Sequence, residues 1–455
     1  MGHPRIRISK LSLNSVKCVT SGSIDFNAVD YLRQEKANIL GIYGQNGSGK
    51  TVVIEALSIL KSILSGQQIS NRYLESIAHG KRSSYIEAEF AVIGNDNTDC
   101  TVVYKCELQQ RSNPNERKPI IAVTGESLKV AGLINGVKYP LQFVAQTNEM
   151  QSLVGPKYKC KLLFGDDESI LKTLEQQKIL ALFGSRSFIF SDQAAEVAWN
   201  YCAHDFGLII NAIRFFAISK LFIVGGETQS DTPLPFNFVN EGETGGVCGQ
   251  IPFSMESKAL LPGEMLTVFE SFVPPLNHVL SSMVPGLKIA YKSQKVSLNE
   301  KDDVYEIELF ASRDEVNVFP LRHESLGIKK IISFLSLLIA TYNNSSYVLA
   351  VDEFDSSVFE FLLGELISVI KESGKGQLIF TSHNLRPLEK LDAASICFTT
   401  TDPENRYIKL KKKTTNNLRD MYFRILSLGS DEFELYNSES KNALAFAFRQ
   451  AGWKE

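Results

Sequence analysis

Apolar and polar residues largely alternate along Ile6-Arg7-Ile8-Ser9-Lys10-Leu11, a period of two that predicts a half-exposed strand. Ser23-Ile24-Asp25-Phe26 predicts a short second one. The segment Asn38-Ile39-Leu40-Gly41-Ile42-Tyr43 reads differently. Its apolar residues run on without alternation, as in a strand covered on both faces. Residues 52–64 follow with helical spacing. Alternation returns over 84–92 and 101–108, with Asn95-Asp96-Asn97 between them as turn chemistry, and continues over 127–130 and 136–139. These segments predict an antiparallel lobe.

From about residue 143 the period changes. Residues 168–183 and 192–216 carry apolar side chains at i, i+3 and i+4, so this stretch reads as helical. The block 225–250, rich in Gly, Thr, Pro and Asn, predicts an irregular loop. A helix over 265–283 is expected to stop at Pro285-Gly286, and strands resume over 287–291 and 303–310. Two apolar runs, Tyr347-Val348-Leu349-Ala350-Val351 and Gln377-Leu378-Ile379-Phe380, read as buried strands joined by one helix over 358–371, closed by Gly374.

Composition narrows the picture modestly. The chain has 455 residues, 44% hydrophobic and 22% charged, enough for two or three domains or one large α/β domain with insertions. The net charge of −3 argues against the whole molecule being an electrostatic nucleic-acid binder. Seven scattered cysteines without a C-x-x-C pair fit reduced thiols better than a structural zinc. No stretch approaches 18 uninterrupted apolar residues. A cytoplasmic protein with no membrane partner is expected.

The chemistry starts at Gly44-Gln45-Asn46-Gly47-Ser48-Gly49-Lys50-Thr51, which fits G-x-x-x-x-G-K-[ST] at every fixed position. Its glycines let consecutive N–H groups turn toward an anion. Lys50 is then expected on the β/γ-phosphates and the Thr51 hydroxyl on Mg²⁺. The preceding buried strand and following helix are the context this loop requires. Asp352-Glu353 ends the run Tyr347-Val348-Leu349-Ala350-Val351, where a parallel strand delivers carboxylates to its C-terminal edge. Asp352 is expected to help hold Mg²⁺, and Glu353 to act as general base on the attacking water. His383, at the end of the next strand, is the candidate γ-phosphate sensor.

In this order of motifs, with Glu324-Ser325-Leu326-Gly327-Ile328-Lys329-Lys330 upstream of Asp352-Glu353, Asp355 and His383, the chain resembles the ABC-type ATPase heads of the SMC/OLD branch. It is most similar to compact ATP-binding proteins of bacterial anti-phage systems: AbiL-like proteins, PtuA of Septu and AriA of PARIS. The resemblance implies an α/β P-loop NTPase fold, an ABC-type head with an antiparallel β lobe and an inserted helical region. It divides the chain into an N-terminal lobe (1–145), a helical insertion (146–235) and a C-terminal lobe (236–455). It implies ATP and Mg²⁺ as cofactors, and a homodimer or higher oligomer. Ser325 and Gly327 would grip the γ-phosphate bound to the opposite subunit through a helix N-terminus. Asp355-Ser356-Ser357 would contact the partner copy. An effector protein, a nuclease or toxin from the same operon, is the implied partner.

The sequence departs from the family in three places. Val358-Phe359-Glu360 replaces a Leu-His-Pro turn, no strand-end glutamine for the metal is assignable, and about 70 residues after His383 are too few for a Toprim nuclease. Direct DNA binding, as in DNA-repair SMC-like ATPases, is the alternative, with Lys409, Lys411, Lys412, Lys413, Arg419 and Arg424 as candidate contacts. A transporter subunit is disfavoured by the long insertion between Lys50 and Ser325. A GTPase is disfavoured because Asn299-Glu300-Lys301-Asp302 has the wrong order for N-K-x-D.

Overall fold

The computed structural model describes residues 3–112, 119–202, 205–225, 235–240, 249–296, 303–313, 317–356, 358–409, 418–428, 435 and 441–452. Cys248, 299–302, Ser357 and 411–413 lie outside them. The chain opens with β1 (Arg5–Val16), β2 (Val19–Asp25), α1 (Ala28–Arg33), β3 (Asn38–Tyr43) and α2 (Lys50–Leu64). Four long strands follow: β4 (Ser84–Ile93), β5 (Asp99–Ser112), β6 (Pro119–Ile134) and β7 (Val137–Asn148). Then come α3 (Lys157–Phe164), α4 (Glu168–Phe183), α5 (Asp192–Cys202), α6 (Phe206–Ser219) and β8 (Leu221–Val224). Next are β9 (Pro235–Asn240), β10 (Gly249–Ser254), β11 (Ala259–Pro262), α7 (Gly263–Met283), β12 (Lys288–Lys295), β13 (Val304–Ser312) and β14 (Val318–Pro320). After α8 (Leu326–Asn343), β15 (Val348–Val351) and α9 (Glu360–Ser373) lie β16 (Gln377–Thr381), α10 (Arg386–Lys390), β17 (Ile396–Thr399) and β18 (Tyr407–Ile408). The helices α11 (Leu418–Leu428) and α12 (Lys441–Gly452) complete the described chain.

The expected α/β class with an antiparallel lobe is what the chain has. One six-stranded sheet runs β2-β1-β4-β5-β6-β7, antiparallel throughout. The other runs β18-β17-β3-β16-β15-β8, parallel except for the β18 edge. Period-two side-chain alternation splits this parallel sheet between two cores. Leu40, Ile42, Val348, Ala350 and Ile379 join α2, α6 and the antiparallel sheet. Ile39, Tyr43, Leu349, Val351, Leu378 and Phe380 join α7, α8 and α9. Covering on both faces explains why these strands read as unbroken apolar runs.

The two sheets meet at a polar joint below the parallel sheet. Arg7 on β1 is fully buried, and its guanidinium donates to the carbonyls of Lys36, Ser345 (3.3 Å) and Lys375. Those carbonyls precede β3, β15 and β16. Burial pulls this guanidinium down to a pKa of about 10. Beside it, buried Gln377 donates to Ile8 O (2.8 Å) and Asn38 Oδ1 (2.7 Å) and accepts from Ile8 N (3.1 Å). Arg7→Met would leave buried carbonyls without donors, so it should lower unfolding stability by about 3 kcal/mol. A denaturant midpoint equal to wild type would show the joint to be dispensable.

Three expectations need correction. The stretch 146–235 is not wholly a helical insertion: β7 runs on to Asn148, and β8 is a strand of the parallel sheet, registered Leu221 to Val348. Its helices occupy 157–219, and α6 shares the core under α2. Four residues, Leu221-Phe222-Ile223-Val224, are too short a run to separate from a helix end by period alone. The helical reading of 192–216 is two helices packed closely. A Cβ at Gly207 would lie 2.4 Å from Ala198 O, and Asn211 Nδ2 donates to Ala195 O at 3.1 Å. In and just beyond 225–250, β9 and β10 pair antiparallel, their alternation hidden among turn-forming residues.

By length and composition α8 could cross a membrane, but 56% of it is buried inside the fold. It reads as a core helix.

Candidate functional site

The loop Gly44–Thr51 leaves the C-terminal end of β3 and caps α2 at Gly49, whose φ of 93° is left-handed and suits glycine. Gly44 is glycine for a different reason. A Cβ there would sit 1.8 Å from Thr399 Oγ1. That hydroxyl donates to Tyr43 O at 3.2 Å and bonds to Ser48 Oγ, while Tyr407 OH donates to Gly49 O at 2.9 Å. The β17–β18 pair thus holds the loop from outside. Asn46 and Gly47 are exposed, and α2 begins just after them, where the first N–H groups of a helix lack intrahelical acceptors.

Lys50 is buried, and its ammonium donates to Gly44 O and Gln45 O, both at 2.9 Å. Burial pulls its pKa below the ordinary lysine value, against Asp352, Asp355 and Glu353, which favour the charge. An ammonium held by two carbonyls of its own loop suits an anionic ligand that exchanges for them.

Opposite the loop, β15 delivers buried Asp352. Its Oδ1 accepts from Thr51 Oγ1 at 3.4 Å and from Thr381 Oγ1 at the end of β16. This meeting of carboxylate and hydroxyl oxygens suits a hard cation such as Mg²⁺. Among the described residues no cluster of three or more His, Cys, Asp or Glu could hold a metal alone. A Mg²⁺ here would therefore take its other ligands from phosphate and water.

Glu353 is exposed and lies in the left-handed region at φ 47°, which a non-glycine residue occupies only when held. Its N–H donates to Thr381 Oγ1 (2.7 Å), its carbonyl accepts from Lys330 Nζ (2.7 Å), and Phe354 N donates to Thr381 O (3.0 Å).

Because β16 lies between β3 and β15, its end faces both halves of the site. Burial and then the Lys50 charge push the exposed His383 imidazole below its ordinary pKa, while Asp355, Glu353 and Asp352 pull the other way. A neutral ring near pH 7 follows, with one N–H donor. A cleft of about 460 Å³ opens here, lined by Tyr43, Gly44, Gln45, Asn46, Ser382, His383, Leu385 and Tyr422.

Asp355 makes contacts within its own chain. One carboxylate oxygen accepts from the N–H of His383 (3.0 Å) and Asn384 (2.8 Å), so the side chain braces the loop that follows β16.

Ser325 caps α8: its exposed Oγ accepts from Ile328 N at 3.3 Å, and its N–H donates to Glu324 Oε2 at 3.1 Å. Neither bond reaches Gly44–Thr51. The structure thus brings Lys50, Thr51, Asp352, Glu353 and His383 to one sheet edge, while Ser325 and Gly327 stand at the start of α8. Thr381, Lys330, Thr399 and Tyr407 are contacts the sequence reading did not single out. The run Ile396-Cys397-Phe398-Thr399 before Asp402-Pro403 is the pattern that points to the last strand pair.

A family model described as an AAA domain matches residues 10–129. No curated protein matches the chain. Among solved structures, the SMC head domain from Thermotoga maritima is similar at 14% identity, covering 89% of this chain and 99% of that one, with a TM-score of 0.37. The Smc head with an extended coiled coil bound to the C-terminal domain of ScpA, from Pyrococcus furiosus, is 14% identical over 93% of this chain and 99% of its own, TM-score 0.41. The recombination mediator RecF with ATP is 14% identical over 90% of this chain and 100% of its own, TM-score 0.37.

Proposed function

We propose that two copies of this chain close on ATP and hydrolyse it at composite sites. Each site takes Gly44–Thr51, Asp352, Glu353 and His383 from one copy and Ser325 with Gly327 from the other. The observation that carries the reading is the convergence of Lys50, Thr51, Asp352 and Glu353 at one edge while the exposed Ser325 makes its hydrogen bonds to Glu324 and Ile328 of its own helix start. At the starts of α8 and α9, Leu326, Phe359 and Phe361 are 68%, 73% and 55% exposed, apolar surface that suits a second copy.

In this reading Lys50 exchanges the Gly44 and Gln45 carbonyls for β/γ-phosphate oxygens. Thr51 and Asp352 would hold Mg²⁺, which when bound neutralises phosphate charge. Glu353 accepts a proton from water as its oxygen attacks the γ-phosphorus; the bond to the β,γ-bridging oxygen breaks, and ADP and phosphate leave. His383, neutral, donates to the γ-phosphate. Asp355 holds the His383 loop in register.

The ATP-bound pair would pass its state to an effector protein, a nuclease or toxin in anti-phage defence. The second reading, direct DNA contact by a DNA-repair SMC-like ATPase, rests on the basic run from Lys409. Two of its members already act within the fold, since Lys409 donates to Ala394 O and Arg419 pairs with Glu389. Salt-sensitive binding of duplex DNA by the ATP-bound protein would favour that second reading.

Mixing inactive chains tests the composite site. Lys50→Ala keeps Ser325, and Ser325→Arg keeps the phosphate loop, so each alone should be inactive. Together they should rebuild one site per mixed pair and recover roughly a quarter of wild-type hydrolysis under free exchange. A Ser325→Arg protein that hydrolyses ATP at the wild-type rate alone would overturn the arrangement.

A further inference from the structure

Lys330 lies one turn into α8, the helix that Ser325 caps, yet its ammonium reaches across to donate to the Glu353 carbonyl at 2.7 Å. It is half-buried, and Asp352, Glu353 and Asp355 all act on its charge. The turn it contacts is the left-handed one, with Glu353 at φ 47°. A backbone in that region costs about 1–3 kcal/mol and persists only when its surroundings over-determine it. Two groups do so here. Thr381 holds the N–H side of the turn, and Lys330 holds the carbonyl side. The other basic residue of this helix start, Lys329, is engaged elsewhere, donating to Glu256 Oε1 (2.6 Å) and Arg322 O (3.2 Å). Only Lys330 of the two therefore links α8 to the carboxylate turn.

We propose that Lys330 is a positioning residue that fixes the Glu353 turn from the Ser325 helix, so that the start of α8 and the catalytic carboxylate of the same chain move as one unit. The inference rests on Glu353 being the base. Its consequence is a mechanical tie between the two composite sites of a pair. The helix whose cap serves the partner's nucleotide also sets the geometry of hydrolysis at its own.

Lys330→Met keeps the aliphatic stem and removes the ammonium, releasing the carbonyl without opening the phosphate loop. ATP affinity should stay within about threefold, while kcat falls about 10- to 100-fold, the cost of misplacing a catalytic group by an ångström or so. Lys330→Arg, which keeps a donor, should recover most of it. Glu353→Gln is measured beside them. If Glu353→Gln still turns over, the base assignment fails. If Glu353→Gln is inactive and Lys330→Met is not slowed, Lys330 has no positioning role. The mixed pairs decide between positioning in its own chain and phosphate contact in the partner's. Lys330→Met placed on the Ser325→Arg chain, which supplies Glu353 to the single working site, should abolish the recovered activity. Placed on the Lys50→Ala chain it should leave most of the activity. A loss that follows the Ser325-supplying chain would overturn the proposal.

Discussion

A Lys50→Ala chain should show no ATP-induced rise in melting temperature. Ligand that binds only the folded state stabilises it by mass action, about 2.7 kcal/mol at a hundred times Kd. Lys50 is the buried cation of the site, and its removal leaves Asp352, Glu353 and Asp355 facing the incoming phosphates without it. The variant itself should fold. The hydrogen bonds described for the ammonium go to two carbonyls of its own loop, so the substitution breaks no bond to another element among them. Differential scanning fluorimetry with and without ATP and Mg²⁺ measures the effect directly. A full shift in the variant would show that Gly44–Thr51 does not hold the phosphates.

Glu353→Gln should separate binding from chemistry. Glutamine preserves shape and exposure but cannot take the proton, so hydrolysis should fall by about 10² or more while ATP still binds. The backbone turn is held through the main-chain N–H and carbonyl, which the substitution leaves in place. The protein should then accumulate as an ATP-bound pair, visible as a larger species in sizing with ATP and Mg²⁺. Turnover at the wild-type rate, with no longer-lived assembly, would remove Glu353 from the mechanism.

The site was legible where its chemistry is contiguous. Asn38–Tyr43 is a strand at the predicted residues, the helix begins at Lys50, and Asp352 and His383 end neighbouring strands as their apolar runs require. What escaped the sequence acts through space. Thr381 directly follows the run Gln377–Phe380, but its hydroxyl matters only because β16 lies beside β15 and reaches both Asp352 and Glu353. Thr399 and Tyr407 matter because β17 pairs with β3 rather than with a strand near it in the chain. Asp355 carried a family expectation of contact between copies, and its backbone partners at His383 and Asn384 become visible only once the loops are folded. The helical region was found by its period. Its exit through β8 was not, because four apolar residues have no period to read.

The place of β3 in its sheet has a consequence for how the protein is made. The strand is complete at Tyr43, but its two neighbours are β16, which begins at Gln377, and β17, which ends at Thr399. The antiparallel lobe pairs strand with nearby strand and can close early during synthesis. Meanwhile β3 trails from it with both edges bare and apolar on each face, a template for wrong pairing until the last third of the chain leaves the ribosome. The nascent chain thus carries β3, the strand that leads into Gly44–Thr51, unpaired through most of translation, and this is the interval in which a chaperone has the most to protect.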